Sequence, residues 1–209
     1  MKKIILTIAA VFAFGFANAQ EVKYGVKAGL GLSSISGLDG GSTGIGFNIG
    51  GFAKIGLADK FAFQPELLFS SVGAKQSYSY AEPGYSESST IKHTFNYINI
   101  PLMVNYKVAN KFGLEVGPQI GFLMSYKAKM DESVTYLGTT TSTSSTSTDK
   151  SGLSSTSFGL NLGAGYDLTE NLNLGLRYSL GLSKLQKELA TGATAYKNNV
   201  IWLNLGYSF

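Results

Sequence analysis

The 209-residue chain has no cysteine, four prolines, one histidine, one arginine and one tryptophan, and only 14% of its residues are charged. Without cysteine, disulfide scaffolds, thiolate metal sites and cysteine nucleophiles are excluded together. The charge content falls well below the usual quarter for a soluble domain. Nor is there a HExxH pair, a phosphate loop or a dinucleotide fingerprint, so no metal or cofactor is expected. Beyond Gln20 no run approaches 18 apolar residues without a polar break, which rules out a transmembrane helix in the remainder. What is plentiful is glycine, with 26 residues, alongside 44% apolar and 12% aromatic content. Those glycines follow no three-residue period, which excludes collagen, and the aromatics and branched aliphatics exclude wholesale disorder. The length fits one domain.

The start is a leader. Met1-Lys2-Lys3 is a short basic segment, Ile4 begins an apolar run that ends at Phe16, and Ala17-Asn18-Ala19 is a small-residue cleavage site ahead of Gln20. These are the parts of a secretory signal peptide over 1–19, leaving 20–209 as the mature domain. The run is shorter than the ~20 residues that span a bilayer as a helix. Lys2 and Lys3 carry part of the formal +4 charge; fifteen bases against thirteen acids remain, too few and too dispersed for nucleic acid.

From Lys23 onward the dominant period is two, the signature of strands with unlike faces. Eight segments show it: 24–33, 47–57, 61–70, 97–106, 112–124, 158–168, 172–182 and 201–209. In the first, Tyr24, Val26, Ala28, Leu30 and Leu32 alternate with Gly25, Lys27, Gly29, Gly31 and Ser33. Tight polar turns at 58–60, 109–111 and 169–171 alternate strictly with long connections at about 34–44, 73–92, 131–152 and 184–198. Each end of the assembly therefore carries one kind of connection, as in an outer-membrane barrel with short periplasmic turns and long outer loops. A lipocalin-like barrel would turn its apolar face inward, but the polar face here is too glycine-rich to cover a soluble surface. A sandwich would need similar turn lengths at both ends. The expected fold is thus all-β: an eight-stranded antiparallel up-and-down transmembrane β-barrel in the outer membrane of a Gram-negative bacterium, both termini periplasmic, with aromatic girdles at the lipid interfaces.

The inward face holds the candidate site. Counted from the tight turns, Lys54, Glu66, Glu115 and Arg177 fall at similar height in the lumen. Arg177 is the sole arginine, and its planar fork suits a bidentate contact with Glu66 or Glu115. A narrow lumen is normally filled by side chains, so the cluster reads as a neutral polar plug; an ion-selective constriction is the rival. Pro101 removes a ladder donor within a strand and predicts a bulge or a wide pair.

The loops offer less. Residues 139–148 are serine and threonine only, a composition that predicts a flexible solvated segment, with O-linked modification or adhesion as the alternative. Tyr78, Tyr80 and Tyr85 in the second long connection read as ordinary loop packing, with a sticky contact patch as the alternative. An enzyme would have to be built on His93, with Ser88, Ser89 and Asp131 as unplaced helpers, so the expectation is not an enzyme. Asp131, Glu132 and Asp149 are too scattered to define a calcium site.

Several segments are characteristic as a series: Phe63-Gln64-Pro65-Glu66-Leu67-Leu68-Phe69-Ser70, Tyr97-Ile98-Asn99-Ile100-Pro101-Leu102-Met103, Gly163-Ala164-Gly165-Tyr166, Arg177-Tyr178-Ser179-Leu180-Gly181-Leu182 and Leu205-Gly206-Tyr207-Ser208-Phe209. Together they resemble the outer membrane protein β-barrel domain family, which takes in PorT-like and "porin family" proteins and is similar in architecture to OmpX and the OmpA barrel. The family often carries an acid where this chain has Asn99. The resemblance implies that Tyr207 and Phe209 form the signal read by the barrel assembly machinery, with periplasmic chaperones and outer-membrane lipid as further partners. A monomer without cofactor is expected, acting structurally or adhesively through outer loops whose ligand is open, or as a narrow channel.

Overall fold

The computed structural model describes residues 22–37, 41–188 and 194–209. The leader at 1–19 lies outside the described residues, as does part of the fourth long connection. Nine strands are present among them: β1 (Val22–Ser36), β2 (Gly41–Ala58), β3 (Phe61–Glu82), β4 (Tyr85–Lys107), β5 (Phe112–Tyr136), β6 (Thr139–Ser147), β7 (Thr156–Asp167), β8 (Leu172–Gly181) and β9 (Lys197–Ser208). Every pairing is antiparallel, and eight strands close a ring in the order β1-β2-β3-β4-β5-β7-β8-β9, with β9 returning to β1 from Gly25↔Ser208 to Ser36↔Lys197. Among the described residues no helix is long and apolar enough to cross a membrane.

The period of two decides which way the wall faces. In β1, Tyr24, Val26, Leu30 and Leu32 are exposed while Gly25, Lys27, Gly31 and Ser33 are buried. In β9, Ile201, Leu203, Leu205 and Tyr207 are exposed and Val200, Trp202, Asn204 and Gly206 are buried. The continuous oily face thus forms the outer surface, and glycines, polar groups and a few bulky apolar side chains fill the interior, the reverse of a soluble barrel. Closure leaves the ring no free edge, the condition under which a sheet can stand in hydrocarbon. Three tight turns, β2–β3, β4–β5 and β7–β8, lie at one end together with the C-terminus, whose Phe209 N–H donates to the Tyr24 carbonyl at 2.8 Å.

At the opposite end the structure departs from the loop reading in two places. The segment 73–92 is a continuation of the β3–β4 hairpin, paired from Gly73↔Thr94 to Glu82↔Tyr85. Its turn is Pro83-Gly84, proline holding φ near its usual value and Gly84 at φ 82°. The serine and threonine run is likewise strand β6, paired with β5 from Ala128↔Ser147 to Tyr136↔Thr139 through a turn at Leu137 (φ 46°) and Gly138 (φ 85°). Both central residues at positive φ match the tight hairpin turn whose twist suits flanking strands. A composition that signals a solvated loop also suits an edge strand: threonine is β-branched, and cross-strand hydroxyls bond one another, Thr135 with Thr140 at 2.9 Å and Ser133 with Ser142 at 3.2 Å. The upper parts of β3, β4 and β5, with β6, therefore project beyond the ring as a four-stranded blade. Where wall becomes blade, a β-bulge places Tyr97 opposite Leu123 but Asn96 opposite Ser125, leaving Met124 as the inserted residue.

Pro101 makes no bulge. The register is the same on either side of it, and the β3–β4 ladder skips the positions between Pro65↔Leu102 and Leu68↔Asn99, where Pro101 stands opposite Glu66. Pro118 is treated in the same way, lying within the skip between Pro101↔Gln119 and Val104↔Val116 of the β4–β5 ladder. A gap in one ladder absorbs the missing donor without moving any side chain to the other face.

Inward glycines make room for inward bulk. A Cβ on Gly31 would collide with the Trp202 ring, one on Gly25 with the Phe52 ring, and one on Gly163 would lie 2.7 Å from Glu115 Oε1. Gly31→Val should destabilise the barrel by ~1–3 kcal/mol through overpacking, whereas Gly152→Val, with nothing within 4 Å, should be near neutral. Urea unfolding of both variants in detergent, followed by heat-modifiable gel migration, checks the contrast.

Candidate functional site in the barrel lumen

The lumen is filled at three levels. Nearest the tight turns, β8 presents Arg177, whose guanidinium makes two bidentate contacts. Its Nε and Nη2 donate to Glu115 Oε1 and Oε2 of β5 at 2.6 and 2.9 Å, and its Nη1 and Nη2 to Glu66 Oε2 and Oε1 of β3 at 2.8 and 2.9 Å. Glu66 also accepts from Lys27 Nζ of β1 at 2.5 Å and from Gln64 Nε2 at 2.7 Å. Two cations thus share two carboxylates, and the side chains of Glu66 and Arg177 are 0% and 3% exposed. The ring of Phe52 sits beneath the network, its centroid 5.5 Å from Lys27 Nζ, within cation–π range.

Of the four residues singled out in the sequence, the structure brings Glu66, Glu115 and Arg177 together and leaves Lys54 outside. Lys54 lies opposite Lys23 on β1, whereas Lys27 lies opposite Gly50, so Lys54 stands four residues lower along the same ladder. It lines the open vestibule at the turn end instead. No tight turn precedes β1, so a count from the turns leaves the height of Lys27 undetermined; the tilt of the strands brings it, and not Lys54, level with Glu66 and Arg177. The signal for Lys27, a lone cation at an inward position among glycines, was present in the first strand.

Above the ions lies a level of amides and hydroxyls. Asn48 donates to Asn204 at 2.9 Å, Asn99 to Ser70 at 2.5 Å, Asn161 to Gln119 at 3.2 Å and Ser179 to Asn161 at 2.5 Å. Asn99 therefore takes part through a hydrogen bond to a neutral partner. A cavity of about 60 Å³ runs past Asn48, Asn99 and Asn161, polar enough to hold water. The third level is apolar and closes the far end: Val72, Phe95, Tyr97, Leu123, Val200 and Trp202 pack around Leu185. Leu185 belongs to the connection after β8, which is held down by Leu185 N–H donating to the Tyr196 carbonyl at 2.8 Å and Ser154 N–H to the Leu185 carbonyl at 2.8 Å. Nothing in the alternation of the strands indicated that a loop leucine would enter the barrel.

The other candidate chemistry does not converge. His93 Nδ1 is 2.8 Å from the Tyr126 hydroxyl on the lumen side of the blade, and burial holds the imidazole below its ordinary range and pushes the phenol up. Asp131 is engaged by Lys129 and Ser144 on the opposite face of that sheet, and Asp149 accepts from Ser151. Among the described residues no three metal-ligating side chains form a group.

Removing one member of a buried ion network strands the others. Glu66→Ala should cost about 3–5 kcal/mol, because it leaves both Lys27 and Arg177 without their shared carboxylate. Glu115→Ala should cost less, since its side chain is 13% exposed and Arg177 keeps Glu66. Denaturant unfolding of the two variants in lipid measures the order.

A comparison with curated protein sequences finds no match. Among solved structures, the chain is similar to Ail, the attachment invasion locus protein of Yersinia pestis, with 17% identity and a TM-score of 0.49 over 90% of this chain and 99% of that one. It is similar also to Neisserial surface protein A, with 12% identity and a TM-score of 0.46 over 90% and 99%. The N-terminal β-barrel domain of Pseudomonas aeruginosa OprF gives 12% identity and a TM-score of 0.39 over 90% and 100%. The family described as outer membrane protein beta-barrel domain matches residues 16–187. With that match spanning most of the sequence of a closed, outwardly apolar ring, the chain belongs to the outer membrane protein β-barrel domain family.

Proposed function

We propose that this protein is a closed outer-membrane barrel that acts through its projecting hairpins, structurally or by adhesion, and does not conduct. The observation that carries the reading is the obstruction of the lumen at two levels, by the Lys27, Glu66, Glu115 and Arg177 network and by the cap around Leu185, with only a small cavity enclosed between them. In this reading the termini and tight turns face the periplasm and the blade faces outward, as short and long connections do in such barrels. Tyr207 and Phe209, outward-facing at the end of β9, are the residues offered to the barrel assembly machinery and its chaperones. The protein works as a monomer, without cofactor or catalysis.

A second reading, a narrow pore for ions or small solutes, draws on the vestibule of about 380 Å³ at the turn end, lined in part by Lys23, Lys54, Lys60 and Lys107. The ion network stands between this vestibule and the smaller cavity above it. Planar-bilayer recording separates the two readings. The closed barrel predicts no steady conductance; regular steps whose size changes in Glu115→Gln or Arg177→Gln would establish the pore.

Topology has its own test. Protease added to intact cells should cut within the hairpins, near Gly84 or Gly138, and spare Asp59-Lys60. Cleavage at Asp59-Lys60 in sealed cells would invert the assignment.

A further inference from the structure

The blade has two chemically different faces. One continues the lumen side and carries Tyr78, Tyr80, Tyr85 and Tyr136 together with Glu82, Glu87 and Glu132. The other continues the apolar belt of the barrel and carries lysines at its base and hydroxyls above. Lys75 of β3 is directly opposite Lys92 of β4, and Lys92 is directly opposite Lys129 of β5. Lys127 stands on the same face one step lower, opposite Thr94, and Lys150 reaches the same rim, donating to the Met124 carbonyl at 3.0 Å. On the strands of this face the carboxylate is Asp131, already in a salt bridge with Lys129 at 2.8 Å.

A row of like charges in direct cross-strand register is destabilising by itself. Adjacent strands are roughly 4.8 Å apart, so three lysines lie within about 10 Å of one another. Such a row calls for an anion that touches several of them. Its place says which one. Along β3 the outward residues run from Phe61 beside the tight turn to Lys75, roughly 48 Å of extended chain, or about 36 Å in height once strand tilt is allowed for, against an apolar band about 25 Å tall. That puts the row outside the hydrocarbon and in the headgroup layer, on the surface that faces neighbouring lipid. Above it the same face is hydroxylated, with Ser77 bonded across to Thr90 at 3.3 Å and Ser144 donating to Asp131 at 2.8 Å.

We propose that the lysine row Lys75, Lys92 and Lys129 with the hydroxyl face above it is a docking surface for the phosphorylated saccharide headgroup of an outer-leaflet glycolipid. Phosphates meet the ammonium groups and sugar hydroxyls meet the serine and threonine carpet. The inference rests on the outward orientation of the blade proposed above.

The test uses the full chain in phospholipid nanodiscs, titrated with lipopolysaccharide, with dephosphorylated lipopolysaccharide and with phosphatidylglycerol micelles. For the unaltered chain, lipopolysaccharide should bind at least tenfold more tightly than either of the others, with affinity falling as salt rises. The triple variant Lys75→Gln, Lys92→Gln, Lys129→Gln should lose that margin, the corresponding triple arginine variant should keep it, and Lys54→Gln at the turn end should leave it unchanged. Equal binding by the unaltered chain and the glutamine variant overturns the proposal, as does equal affinity for phosphatidylglycerol and lipopolysaccharide, which would make the row a surface for any anion. Orientation is read separately, by labelling Ser79→Cys in intact cells with an impermeant maleimide, since the chain has no cysteine of its own. Absence of labelling defeats the topology; labelling without selective binding defeats only the docking surface.

Discussion

Closure of the β1–β9 ladder is the constraint on which the rest depends. A sheet with an oily outer face has unpaired backbone donors and acceptors wherever it ends, and hydrocarbon offers them nothing. The pairing of β9 with β1 removes that edge, and with it the need for any covering layer. The exposed leucines, isoleucines and aromatics then cease to be a liability, because the surface they form is the one that lipid wets. Beyond the lipid the requirement lapses. The upper part of β5 can therefore exchange β7 for the edge strand β6, whose outer side faces water and is built of serine and threonine.

The small bore of an eight-stranded ring imposes a second economy. Arg177, Trp202, Phe52 and Glu115 cannot all point inward unless their neighbours are nearly absent, and glycine at 25, 31 and 163 supplies that space. In such an interior, charge is tolerated only when it is compensated at contact distance. The guanidinium of Arg177 meets this with two carboxylates in two forks, and Lys27 balances the remainder. Charge therefore sits where several strands can converge on one point, while hydroxyls and amides, cheaper to pair, occupy the level above. The apolar cap around Leu185 separates this polar interior from the blade.

The blade shows the same alternation continued into water with a different composition. Its two faces diverge because each inherits the side of the barrel below it: tyrosines and glutamates extend the interior side, lysines and hydroxyls the lipid side. The turns that end it, Pro83-Gly84 and Leu137-Gly138, are short enough to keep four strands in register well past the lipid belt. A chain whose outer connections were ordinary loops would present no such ordered faces.

Much of this was written in the order of residues. The alternation of Tyr24, Val26, Leu30 and Leu32 with small and polar neighbours determined a strand with an oily side; repeated eight times with alternating short and long connections, it determined the ring and which face meets lipid. The pairing of Arg177 with an acid was legible from the chemistry of a lone guanidinium in a narrow bore. Only the tertiary structure decided that Lys27 rather than Lys54 joins it, that 139–147 is a strand, and that Leu185 stoppers the barrel. The physical reason is common to all three. Alternation specifies the face on which a side chain lies, but its height and its neighbours depend on the stagger between strands, which tilt and closure set for the whole ring at once.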